Sequence, residues 1–355
     1  MGTQNIEPED RNTGEVLGLR DEIGKIQEAI ADFEVGKRLN VAIIAGLLGG
    51  KTTLVNEIER LNINRATKIV FSGIVRDKKE IFLPEDIERV ILFDNCHFLY
   101  TRKPGGFDIL YEFLDMISSR KRIFVTTWNM YSWNYLNQTF GLGKYFPVQV
   151  IVPSFERENL KILTLKRYKK NEIIFDTDKE FEEKSPLYVA EYPLEIASLG
   201  RTFGIPVLKI NIPYLKNRFL NKKKERKEEQ EKEAVEYQVF EKIFLESKGN
   251  PGIAMRIWEL GLDYPYMKPE NIGSFSYDIE LEDEEAYVLN LILSYQGLNK
   301  TEIADIIGSM LRTNEAIFRL FNQELIFERE DGSFRVRPEA LRSVIAYLEK
   351  LRLVW

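Results

Sequence analysis

Cysteine and histidine are almost missing from this chain of 355 residues: Cys96 and His97 stand alone, side by side. One thiol excludes an internal disulfide and a cysteine-rich metal cluster, and one imidazole excludes paired-histidine chemistry. Long apolar runs are missing too. No stretch approaches the roughly 20 apolar residues that cross a bilayer, and the first residues lack a secretory apolar region. The expectation is a cytoplasmic protein without a membrane span. Charge of one sign is not in great excess either. Lys and Arg number 50 against 56 Asp and Glu, for a net charge of −6. That opposes a nucleic-acid surface over the whole molecule and leaves room for a local basic patch.

The remaining composition, 44% apolar and 30% charged, is that of a globular protein, and the length allows two or three domains. Its organising stretch is Ala45-Gly46-Leu47-Leu48-Gly49-Gly50-Lys51-Thr52. The apolar run Val41–Ile44 before it reads as a buried strand. After it, Leu54, Ile58 and Leu61 recur at helical spacing. Strand, glycine loop and helix form the context of a phosphate-binding loop, here with Ala45 in place of the opening glycine. Gly46, Gly49 and Gly50 let backbone amides converge on an anion at a helix amino terminus. Lys51 is expected to reach the outer phosphates, with Thr53 beside it in the cradle, and Thr52 to offer its hydroxyl to Mg²⁺.

Further strands are expected at Lys68–Ser72, Glu88–Asp94, Lys121–Thr127 and Gln149–Val152, with a helix over Asp108–Ser118. Strands and helices alternate as in a parallel α/β sheet, whose sites lie at the carboxyl ends of its strands. The third strand ends its apolar run in Asp94, an acid suited to holding Mg²⁺ beside the loop. Asn95 follows; it can hold a water but cannot take its proton. His97 is a candidate base or positioner, with a purely structural histidine as the alternative. Thr126 or Thr127, with Asn129 as another choice, stands where a γ-phosphate sensor would lie. Residues 171–213, with several prolines, receive no firm assignment, and residues 1–13 read as disordered.

The stretches Asp94-Asn95-Cys96-His97-Phe98-Leu99-Tyr100-Thr101-Arg102 with Gly105-Gly106-Phe107, and Asn129-Met130-Tyr131-Ser132-Trp133-Asn134-Tyr135-Leu136, resemble one group of predicted prokaryotic P-loop ATPases. That group belongs to the broad AAA+/STAND assemblage, and the likeness runs from about Val16 to the carboxyl terminus. It implies ATP binding with Mg²⁺ and a regulatory role. It also marks departures. Leu19 replaces the arginine of the Gly-Arg-x-x-Glu opening, ahead of a helix carrying Ile23, Ile26, Ile30 and Phe33. Asn95 replaces the usual Glu, which implies slow hydrolysis or a nucleotide-dependent switch. Gly249-Asn250-Pro251 resembles the lid motif of these ATPases, in which Pro251 would pack on the adenine. Gly252 stands where a sensor arginine would be, with Arg256 a turn later. Lys144, Arg102 and Arg120 are the candidate arginine fingers.

Asn221–Glu236 is a dense charge run with Lys224–Glu228, Lys227–Glu231 and Glu228–Lys232 at helical spacing, read as a solvated helix. From about residue 280 three helices, a hairpin turning at Asp331-Gly332 and a last helix follow a winged-helix plan. In a DNA reader the third helix would enter the major groove, presenting Arg312 and Arg319, with Arg335 and Arg337 on the wing. The expected fold is thus an α/β P-loop sheet of AAA+/STAND type (14–170), a helical lid with insert (171–278) and a C-terminal winged helix (279–355). The expected function is an ATP- and ADP-binding regulatory switch with a protein partner. The alternative is a DNA-binding ATPase using the winged helix, and oligomerisation is left open.

Overall fold

A computed structural model describes residues 17–37, 39–83, 89–118, 122–176, 187–196, 201–210 and 221–354. The expected disorder over 1–13, Arg120, and the side chains of the 221–231 charge run lie outside the described residues. The chain divides into two compact units. One takes Met1–Arg167, Ile243–Glu259 and Ser274–Trp355; the other takes Tyr168–Lys242 and Leu260–Gly273. Among the described residues no helix is long and apolar enough to cross a membrane.

In the first unit, helix α1 (Arg20–Glu34) precedes strand β1 (Val41–Ala45), α2 (Lys51–Leu61) and β2 (Ala66–Val70). Then come β3 (Val90–Asp94), α3 (Asp108–Ile117), β4 (Ile123–Asn129), α4 (Met130–Phe140), β5 (Val148–Ile151) and α5 (Arg157–Leu165). The five strands form one parallel sheet in the order β2-β3-β4-β1-β5. Every residue of β1, β3 and β4 is buried, while β2 and β5 are partly exposed. Continuous apolar runs belong in the middle of a sheet covered on both faces, and mixed ones at its rims. Because all five strands run one way, Ala45, Asp94 and Asn129 end on one edge of the sheet. Leu19, at the arginine position of the Gly-Arg-x-x-Glu opening, is a core residue at 1% exposure.

The winged helix lies in the same unit. It comprises α8 (Asp283–Tyr295), β11 (Leu298–Asn299), α9 (Lys300–Ile307), α10 (Met310–Asn322), β12 (Ile326–Glu328), β13 (Ser333–Val336) and α11 (Leu341–Lys350). Its three strands pair antiparallel in the order β11-β13-β12. The last carbonyls of a helix have no partner within it. In α8 they are met by the α/β core: Asn129 Nδ2 donates to Leu293 O at 2.9 Å and Ser132 Oγ to Ser294 O at 2.7 Å. Tyr295 returns a hydroxyl bond to Tyr100 O at 3.2 Å. Glu302 caps α9 and also accepts from Ile74 N at 3.0 Å, in the loop after β2.

In the second unit β6 (Ile174–Phe175), β9 (Leu262–Asp263) and β10 (Tyr266–Met267) form a small sheet, and β7 (Leu187–Ile196) pairs antiparallel with β8 (Arg201–Ile210). The 171–213 stretch therefore holds strands where the sequence supported no assignment. Pro193 and Pro206 obscured them. Both strands of a two-stranded ribbon are edges, where a residue without an N–H is tolerated. Two further helices are α6 (Asn221–Ser247) and α7 (Pro251–Gly261).

Candidate functional site

The phosphate-loop sequence folds as its glycines require. Gly50 has φ +91° and directly precedes α2. Leu48 also lies in the left-handed region at φ +59°. A Cβ on Gly49 would come 3.2 Å from Ala45 Cβ and 3.3 Å from Gly46 O, so the loop closes tightly on itself there. Lys51 is buried and donates to the carbonyls of Ala45 (3.0 Å) and Gly46 (2.9 Å). Burial pulls its ammonium down from 10.5 to about 7, with the Asp94 carboxylate acting in the opposite direction.

Asp94 is 1% exposed. Its Oδ1 accepts from Thr127 Oγ1 at 2.5 Å and from Asn95 N at 3.1 Å, and Asn95 N also donates to Thr127 Oγ1 at 2.8 Å. The three sensor candidates separate here. Thr126 turns the other way, donating to Val41 O and accepting from Trp128 Nε1. Asn129 caps α4 and grips Leu293 O. Thr127 alone faces the acid, and its hydroxyl proton is committed to Asp94. Asn95 occupies a left-handed conformation, φ +65° and ψ +42°, which Asn tolerates better than Glu. Its Nδ2 donates to Phe71 O at 3.1 Å.

His97 is fully buried, and neither ring nitrogen has a hydrogen-bond partner among the described residues. Burial, then the Lys51 charge, holds its pKa well below 6.5. The Tyr295 main chain favours the charged ring slightly without reaching hydrogen-bond geometry. Burial thus favours the neutral imidazole.

Two cavities flank the loop. One, of about 300 Å³, is lined by Leu47–Thr53 together with Gln296 and Arg335 of the winged helix. The other, about 240 Å³, lies across the loop from it. Pro251 and Ile253 line one wall, Val152 and Pro153 another, and Ile345 and Glu349 of α11 a third. Tyr131 also lines it, its phenol pushed up by burial and by the nearby Glu349 carboxylate. The first, at about 300 Å³, reaches the lower end of the range of ordinary ligand sites.

Asn250 joins loop and lid helix. Its Oδ1 accepts from Gly252 N and Ile253 N, both at 3.1 Å, capping α7, while its Nδ2 donates to Leu47 O at 2.8 Å. The signal was present in the sequence as an Asn cap before a Pro at the first helical position, but nothing local revealed its second bond. Gly252 also acquires a reason. A Cβ there would fall 2.5 Å from Leu48 Cβ, so no side chain fits where a sensor arginine was considered. Arg256 lines neither cavity and pairs with Glu339 at 2.6 Å.

The two finger candidates among the described residues are likewise engaged. Arg102 is bonded to Ser294 Oγ at 3.0 Å and stacks 4.3 Å from the Tyr135 ring centre. Lys144 lies over Tyr145. For a metal, no cluster of three or more His, Cys, Asp and Glu exists among the described residues. Thr52, on the cavity wall, and Asp94 suit Mg²⁺, which takes one or two protein oxygens and completes its shell with phosphate and water.

No protein-family model matches the chain, and no curated protein matches it. Solved structures to which it is similar include the RuvB Holliday junction branch migration motor of Thermotoga maritima, at 15% identity over 93% of this chain and 95% of that one, TM-score 0.41. Cdc6p from Pyrobaculum aerophilum matches at 11% identity over 98% and 97%, TM-score 0.42. The Orc1 protein of Aeropyrum pernix, solved in complex with DNA, matches at 13% over 94% and 95%, TM-score 0.43. The chain's own topology is five parallel strands with the glycine loop and the acid on one edge, followed by a winged helix.

Proposed function

We propose that this chain is an AAA+/STAND-type ATPase that binds Mg-ATP, hydrolyses it slowly and acts as a nucleotide-dependent regulatory switch. The observation that carries the reading is the meeting of loop and acid. Lys51 opens the helix after β1 and Asp94 ends β3, at the carboxyl edge of one parallel sheet, and Thr127, on the strand between β1 and β3, orients the carboxylate. Gly46, Gly49, Gly50, Lys51, Thr52 and Thr53 would cradle the phosphates. Thr52 and Asp94 would hold Mg²⁺, which supplies charge neutralisation between phosphate oxygens. Pro251 would face the base from the far cavity.

Slow turnover follows from the groups that could activate water. Asn95 cannot accept a proton, and burial disfavours the imidazolium that His97 would become on accepting one. The domains proposed are an α/β core (14–170), a lid with insert (171–278) and the winged helix (279–355). A cytoplasmic setting and an unidentified protein partner belong to the same reading, and assembly into an oligomer is compatible with it.

The DNA-binding alternative has less in its favour. Arg312 pairs with Glu284 at 2.8 Å, and Arg319 with Glu285 at 3.0 Å and Glu282 at 3.2 Å. The helix that would enter a groove, α10, instead exposes Leu311 and Phe318. The deciding experiment is nucleotide binding and phosphate release by wild type and Lys51→Ala, with and without duplex DNA. Wild type should bind ATP and turn over slowly regardless of DNA, and Lys51→Ala should lose binding. ATP affinity unchanged by Lys51→Ala would overturn the site.

A further inference from the structure

Arg335 was expected on the wing, as a DNA contact in the alternative reading. In the folded chain it lines the phosphate-loop cavity opposite Lys51, Thr52 and Thr53, beside Gln296. Each of the two carries one unsatisfied donor there. Arg335 Nε and Gln296 Nε2 are inaccessible to solvent and have no hydrogen-bond partner among the described residues. Among those residues Arg335 also forms no ion pair; Asp331 of the same hairpin pairs instead with Arg329, at 4.0 Å. Leaving such donors buried and unpaired costs on the order of 1–3 kcal/mol each, more for a charged group, so the arrangement asks for an acceptor.

The backbone makes room for it. Gly297 has φ +140°, and a Cβ there would lie 3.0 Å from Arg335 Cγ and 3.1 Å from its Nε. Gln296, just before it, is held at φ +61° where α8 ends. This segment thus lets the guanidinium pass the end of α8 toward the loop. A planar, permanently charged fork of donors facing converging loop amides and a lysine matches phosphate oxygens.

We propose that Arg335, with Gln296, reads the outermost phosphate of a bound nucleoside triphosphate, acting in cis from the winged helix. The proposal rests on the nucleotide-switch reading and names its sensor. Phosphate contact and seating of the wing then become one event, because Arg335 belongs to β13 and Gln296 to the end of α8.

The test is equilibrium binding of a non-hydrolysable ATP analogue and of ADP, by titration calorimetry, to wild type, Arg335→Gln, Arg335→Lys and Lys51→Ala. Hydrogen exchange of residues 326–336 is followed alongside. Arg335→Gln should lose roughly 10- to 100-fold in affinity for the triphosphate while ADP changes less than about threefold, and Arg335→Lys should fall between. Triphosphate should protect the 326–336 hairpin in wild type and not in Arg335→Gln. Equal effects on triphosphate and ADP, or no effect on either while Lys51→Ala loses both, would overturn the sensor. A wild-type protein that binds neither nucleotide would instead overturn the underlying reading, and the sensor with it. Thermal melts identify any variant that has merely unfolded, in which case the lysine variant decides.

Discussion

Thr127 Oγ1 donates to Asp94 Oδ1 at 2.5 Å, joining the carboxyl ends of two neighbouring parallel strands. The same hydroxyl accepts from Asn95 N, so it orients both the acid and the residue after it. Removing it should disturb catalysis more than binding. Thr127→Val is expected to lower phosphate release about 10- to 100-fold, the usual effect of losing a group that orients a metal ligand. ATP affinity should change less than about threefold, and Thr127→Ser should recover most of the rate. Single-turnover kinetics beside calorimetry checks this; an unchanged rate would leave the hydroxyl a packing role only.

The packing of α7 on the loop makes a sharper structural prediction. Gly252→Ala places a methyl 2.5 Å from Leu48 Cβ, and either the loop or the helix must move. Overpacking of this kind costs about 1–3 kcal/mol. Nucleotide affinity should fall at least about tenfold along with thermal stability. Gly24→Ala is the control: it lies in α1 with nothing within 4 Å of the added methyl. It should stabilise by about 0.5–1 kcal/mol through helix propensity.

Lys51 predicts the pH dependence. Its ammonium is depressed to about 7 by burial, so between about pH 7 and 10.5 the unfolded chain binds more protons at this residue than the folded one. Stability from this group therefore rises with pH across that window and is lost as pH falls back through 7. Lys51→Met should flatten that slope in denaturant unfolding at pH 7, 8 and 9. A bound phosphate favours the charged form, so ATP binding above pH 7 should take up a proton. Apparent affinity should then fall by up to about tenfold per pH unit. Calorimetry in two buffers of different ionisation enthalpy measures that uptake directly.

Duplex DNA supplies a negative prediction. With Arg312 and Arg319 paired to acids on the protein, binding to random duplex near 150 mM salt should be no tighter than about 10 µM, within the non-specific range. Fluorescence anisotropy over a salt series tests it. Nanomolar binding lost on neutralising Arg337 would restore the DNA reading.

Much of this protein was legible one segment at a time. Val41–Thr52 declares strand, loop and helix because glycine backbone freedom and apolar burial are local properties. Val90–Asp94 and Ile123–Asn129 announce buried parallel strands for the same reason. The winged-helix plan is legible too, through Asn299 as a cap and the Asp331-Gly332 turn. The β7–β8 ribbon was hidden by its prolines, which edges permit.

Pairings between distant segments were not legible. Nothing near Thr126 and Thr127 says which one faces Asp94; the pleat orientation of β4 against β3 decides it. Asn250 reads as a cap, and only folding brings Leu47 O to its other end. Arg335 reads as a surface arginine on a hairpin until the wing seats against the core and turns it to the loop. Sequence alone determined which segments are strands, helices and an anion-binding turn, because those follow from neighbours a few residues away. Tertiary structure decided which side chains meet across 33, 203 or more than 280 residues, because burial and hydrogen bonding are settled by packing and not by order along the chain.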